Sequence, residues 1–385
     1  MASVPVDGPK QATGETSRGV RVDSSDSADR GSPSRRLRSL DALRGIAAML
    51  VVIGHSVEMG VRELPLGSAG RVAIEAVTVE YMNLGRVGVV AFFLLSGYVV
   101  PFSFSHVRPV RSFLIARLFR LYPAYWASML AAIALALILS SGPPSAVQIL
   151  ANATMVQKML GQPDLIPVYW TLFYELLFYA ACLGAFLIGK MESPQYLASV
   201  VVGLMTVGLA VAFARYAGVT SSAPIGVPMF LGIMHLGTLA RLSDRGDVAG
   251  AHRHYRIALV AVLLCVGPIT ALGFIPHGYS ERLIASVAGL YAGLALFLPL
   301  RRSELVCRPV FLWLGLISYS LYLIHPLVLD LVVAVVREAQ PWLRIVIIVV
   351  MVPLGAMLFA AVLQRYVEVP ANRLGKQVRI RAAAA

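Results

Sequence analysis

The chain has 385 residues, of which 58% are apolar and only 14% charged, and its mean hydropathy is +0.76. Those values exclude an ordinary soluble domain and describe a protein that crosses a membrane many times. The net charge of +13 does not point to nucleic acid, because the basic residues lie in short runs between apolar segments rather than along one amphipathic face.

Residues Met1 to Ser34 are rich in Ser, Asp, Gly and Pro and contain no apolar run, so residues 1–37 are expected to form a disordered tail rather than a cleavable signal peptide. From Asp41 onward, apolar segments of membrane-spanning length follow one another. Their expected limits are Asp41 to Met59, Val87 to Phe104, Tyr122 to Ser140, Val168 to Gly189, Tyr196 to Tyr216, Pro224 to Arg241, Ile257 to Ile275, Leu283 to Leu300, Val310 to Val336 and Leu343 to Gln364. The expected fold is an all-α polytopic bundle of about ten transmembrane helices spanning 38–370, with a basic tail over 371–385. Of the 33 Lys and Arg residues, 25 fall on the side of the N terminus and 8 on the other. That asymmetry places both termini in the cytoplasm.

The first segment, RSLDALRGIAAMLVVIGHS from Arg38 to Ser56, carries ionisable groups inside an apolar helix. At 100° per residue Arg44 and His55 fall on nearly the same face, with Asp41 one turn before Arg44. Titratable groups in a membrane are costly unless paired or facing a polar cavity, so this stripe is the first candidate site. Ser96 and Gly97 in the second segment suit close helix approach. Arg108 and Arg111 read as anchors on the inner face, while Arg117 and Arg120, spaced i, i+3 before Pro123, share one helical face. Glu175, in the apolar aromatic string WTLFYELLFY, comes at a depth comparable with His55. Ser318, Tyr319 and Ser320 offer hydroxyls, and His325 before Pro326 reads as the mark of a kinked helix. Cys182, Cys265 and Cys307 have no paired spacing, and no zinc spacing, phosphate loop or serine elbow is present. Asn152, Ala153 and Thr154 form a glycosylation sequon of little weight without a known source.

Six strings, in order, resemble the acyltransferase 3 family of integral membrane O-acyltransferases. They are SLDALRGIAAMLVVIGH (Ser39 to His55), FFLLSGYV (Phe92 to Val99), FLIARLFRLYPAYW (Phe113 to Trp126), WTLFYELLFY (Trp170 to Tyr179), SYSLYLIHP (Ser318 to Pro326) and VEVP (Val367 to Pro370). The resemblance covers Arg38 to Pro370. One departure is Ala116, where many members carry a basic residue. The resemblance implies an acyl-CoA donor, acetyl-CoA first among them, used from the cytoplasmic side, and a hydroxyl acceptor. Relatives of this kind modify envelope polysaccharides, lipopolysaccharide sugars, nodulation-type oligosaccharides and macrolide antibiotics.

A hydroxyl is a weak nucleophile at neutral pH, and an imidazole can accept its proton during attack on a thioester. His55 is therefore expected as the base, with Glu175 orienting it or binding the acceptor. Arg44, Arg117 and Arg120 are expected at the coenzyme phosphates, where guanidinium forks suit bidentate contact. Asp41, Ser318 and Tyr319 are expected near the substrate. No metal or permanently bound cofactor is expected. The Ala, Val, Gly and Arg bias suggests a GC-rich bacterium, and hence a bacterial cytoplasmic membrane. A secondary transporter is the alternative, since buried His, Glu and Arg also build proton and substrate pathways. No convincing repeat between the two halves supports it.

Overall fold

The computed structural model describes residues 33–64, 81–103, 110–139, 142–220, 224–274 and 283–384. Most of the expected tail, Arg108, and the segment ends at Phe104, Ser140 and Ile275 lie outside these residues. In chain order the helices are α1 (Pro33–Arg62), α2 (Leu84–Val99), α3 (Val110–Ile138), the short α4 (Ala146–Ala153), α5 (Trp170–Leu187), α6 (Pro194–Tyr216), α7 (Gly226–Arg245), α8 (Ala251–Phe274), α9 (Leu283–Leu300), α10 (Pro309–Val335), α11 (Pro341–Leu363) and α12 (Val369–Ala384). Among the described residues there is no strand, and nine candidate membrane-spanning helices are long and apolar enough to cross a bilayer. The protein is a polytopic helical bundle.

The expected sixth segment is α7, which forms as a helix but is not among those nine. Its charged end, with Arg241, Asp244 and Arg245, lowers its hydropathy, and 14 of its 20 residues are buried. Packed by α2, α6 and α8, it faces protein on most sides and needs no broad apolar face toward lipid.

With lipid as apolar as leucine, helix association here depends on close backbone approach. At the α1–α10 crossing, a Cβ added at Gly315 would stand 2.1 Å from the carbonyl oxygen of Asp41, so only glycine fits. At the α2–α7 crossing, a Cβ at Gly97 would stand 1.7 Å from the carbonyl oxygen of Met234. The first contact sets Arg44 beside the first third of α10. The second brings the end of α2 against the charged end of α7.

That second junction is closed by ions. Asp244 accepts hydrogen bonds from the Tyr98 hydroxyl at 3.0 Å, from Arg301 Nε at 3.0 Å and from Arg302. Ser39 donates to the carbonyl of Arg301 at 2.9 Å, so α1, α2, α7 and the end of α9 meet at one buried knot. At the chain's far end α11 runs through a π-helical turn, Gln364–Glu368, into α12.

Candidate active site

A cavity of about 110 Å³ opens between α1, α2, α3, α5 and α10. Arg44 enters it from α1, Phe92 and Ser96 from α2, Arg117 and Arg120 from α3, Glu175 and Tyr179 from α5, and Ser318, Tyr319 and Tyr322 from α10. Six of the eight residues expected at the site thus line one space. Asp41 does not; half-exposed, it pairs with Arg44 at 2.9 Å one helical turn away.

The arginines are held in different ways. Arg120 meets Glu368 at 3.3 Å, and Glu368 also accepts from Ser320 at 2.9 Å. Glu368 belongs to the VEVP string, for which the sequence suggested no role. It is 4% exposed and sits in the π turn, a bulge that commonly re-aims a side chain at a functional site. Arg117 donates to the Ser103 hydroxyl at 2.8 Å and lies over the rings of Phe113 and Tyr179, 5.2 and 5.4 Å from their centroids. Its Nε is buried with no hydrogen-bond partner, and among the described residues no carboxylate pairs with it. The charge is kept on aromatic faces and hydroxyls rather than neutralised.

Glu175 accepts a hydrogen bond from the Tyr179 hydroxyl, and the Arg117 guanidinium lies over the Tyr179 ring, so α3 and α5 are tied through one tyrosine. Ser318 spends its hydroxyl proton on the carbonyl of Gly315 at 2.8 Å, and Tyr319 spends its own on that of Leu121 at 2.8 Å. Their oxygens face the cavity as acceptors.

His55 does not line the cavity; it lies one layer behind the wall. Its Nδ1 is 3.0 Å from Nε2 of His325, which is fully buried. The ring of Tyr322 is 5.9 Å from that of His325, and Phe92 meets Tyr322 edge-on at 5.8 Å. Two cavity-lining rings therefore separate the open space from the histidine pair. The expected partnership of Glu175 with His55 has no hydrogen bond among the described residues; His55 is joined to α10 instead. The reading of His325 as a mark of a kink is incomplete. Pro326 leaves the carbonyl of Tyr322 without its helical N–H, and the His325 ring bonds the Leu321 carbonyl, but its other nitrogen meets His55.

Among the described residues no group of three or more His, Cys, Asp and Glu side chains is arranged to hold a metal ion. The model of the acyltransferase 3 family, described as an acyltransferase domain, matches residues 37–361. No curated protein and no solved structure matches the chain.

Proposed function

The chain belongs to the acyltransferase 3 family, and we propose that it is a membrane O-acyltransferase moving an acetyl or other short acyl group from acyl-CoA to a hydroxyl. The acceptor we propose is a saccharide of a cell-envelope glycan or a glycosylated natural product such as a macrolide. The observation that carries this reading is Arg117: a guanidinium in a cavity wall, oriented by hydroxyls and rings, without a carboxylate of its own. Such a cation is free to take an anionic ligand, and phosphate matches its fork. Arg44 and Arg120 stand at the same cavity and add charge where the pyrophosphate of coenzyme A enters.

On this reading the donor enters from the face where α1 begins, and the excess of Lys and Arg on that side supports its being the cytoplasmic one. The thioester points past Phe92 and Tyr322 toward His55. His55 takes the proton of the acceptor hydroxyl, the oxygen attacks the thioester carbonyl carbon, the C–S bond breaks, and the thiolate recovers the proton as coenzyme A leaves. Glu175 lies on the donor side, where it holds Tyr179 and with it the orientation of Arg117.

The test is acyl transfer by the purified protein in lipid, with labelled acetyl-CoA and pooled glycan or macrolide acceptors, against His55→Ala. Label should reach an acceptor with the native chain and fall about 10³-fold in the variant. Equal transfer by both would make His55 structural. Absence of coenzyme A release with every donor and acceptor would overturn the reading.

A further inference from the structure

The two histidines have only one consistent arrangement of protons, and it faces the chemistry. We infer that His325 is a positioning residue that fixes the tautomer of His55, leaving His55 Nε2 as the unprotonated, reactive nitrogen. The inference rests on the reading of His55 as the base.

His325 Nδ1 lies 3.2 Å from the carbonyl oxygen of Leu321, four residues back on its own helix. A carbonyl only accepts, so that nitrogen carries the proton. In a neutral imidazole the other nitrogen is then an acceptor, and His325 Nε2 meets His55 Nδ1 at 3.0 Å. His55 must therefore donate from Nδ1, which leaves its Nε2 with a lone pair. The reverse order would set a bare His325 nitrogen against a carbonyl oxygen. A charged His325 would place a cation where the side chain has no exposure, at a large desolvation cost.

The other edge of the half-buried His55 ring stands against the first turn of α2. A Cβ added at Gly85 would lie 3.4 Å from Nε2, an ordinary contact. No side chain of Gly85 stands between that nitrogen and α2. Asn83, the adjacent N-cap, is occupied in accepting from the Arg86 amide at 2.8 Å and does not need His55. With Nδ1 engaged by His325, Nε2 is the nitrogen left to meet a hydroxyl.

During transfer the proton of the acceptor hydroxyl passes to Nε2 while Nδ1–H stays on His325, so the imidazolium keeps one hydrogen bond throughout. When the C–S bond breaks, the thiolate takes the proton from Nε2 and His55 returns to its starting tautomer. His325 exchanges no proton; its own N–H is anchored to the helix.

Magnetic resonance of histidine-labelled protein in lipid reads the tautomer directly, with the His55 signals assigned by their loss in His55→Ala. The native protein should show His55 protonated on Nδ1, and His325→Leu should lose that preference and about 10²-fold in turnover. His325→Gln, whose amide oxygen also accepts from Nδ1, should recover most of the turnover with an unchanged donor KM. Native His55 protonated on Nε2 would overturn the inference, as would His325→Leu turning over like the native chain. If the native protein transfers no acyl group at all, the reading of the base fails instead, and the resonance measurement still decides the tautomer.

Discussion

Two charged clusters meet the end of α2, and they are built on opposite principles. At Tyr98, Asp244 is wrapped by a hydroxyl and two guanidinium groups, with its side chain only 1% exposed. A few residues further along, Ser103 meets Arg117, a cation that faces open space and has no carboxylate partner among the described residues. The first cluster has no valence left for a ligand; the second is positive ground waiting for one. Burial of charge in a membrane protein therefore says little about function until the partners are counted.

The closed cluster breaks hardest. Asp244→Ala leaves Arg301, itself 8% exposed, without its anion, and removing one partner of a buried pair costs about 3–5 kcal/mol. Thermal or denaturant unfolding in detergent should show that loss, while transfer per folded molecule stays at the native level. A variant that unfolds normally but transfers poorly would mean that the knot belongs to the site. Arg117→Ala should behave in the opposite sense. Loss of one charge-assisted contact to phosphate, about 1.5–3 kcal/mol, should raise the KM for acyl-CoA about 10- to 100-fold with little change in stability. Arg117→Lys should recover only part of it, since an ammonium cannot reproduce the fork. A stability loss as large as that of Asp244→Ala would move Arg117 into the structural class.

The open space itself is the next handle. Val89, Phe92 and Phe93 line a cavity of about 110 Å³, which suits a short acyl chain beside a thioester. Phe92→Ala should shift the ratio of kcat/KM for butyryl- over acetyl-CoA about 10-fold toward the longer chain, as methylene discrimination in apolar pockets does. An unchanged ratio would place the acyl group elsewhere.

These contrasts were only partly legible in the amino-acid order. The segment lengths are dictated by bilayer thickness, and the expected helices appear as α1 to α3 and α5 to α11. Arg44, Arg117 and Arg120 share a cavity because each lies near the same face, which hydropathy alone supplies; Glu175, expected at the depth of His55, instead joins the arginines there. What could not be read is lateral pairing. His55 and His325 are 270 positions apart, and Asp244 reaches Arg301 and Arg302 across 57 and 58 positions. Glu368 entered only as part of the VEVP string; the signal of a carboxylate beside an apolar span, applied as strictly to it as to Glu175, singles it out. Asp41, expected near the substrate, pairs instead with Arg44 one turn along α1, a contact that the i, i+3 spacing permits.

The smallest expected effect separates the clusters by acid. Burial alone would raise the Asp244 carboxyl, but hydrogen bonds from Arg302 and Arg301 outweigh it and hold the group below its ordinary value of 3.8. A carboxylate depressed on folding contributes its full stabilisation above the unfolded value, where both states are ionised. As pH falls below that, the unfolded chain takes up the proton first, so stability declines and the contribution is gone once pH passes the folded value. Unfolding measured downward from about pH 5 should therefore show a steeper loss in the native protein than in Asp244→Asn, which has no such proton to bind. Asp247 is the control. It is also held low, first by its hydrogen bond from Arg245, but it lies exposed, where solvent screens the pair. Asp247→Asn should keep the native acid slope. If that variant flattens the slope and Asp244→Asn does not, the buried knot is not the joint described here.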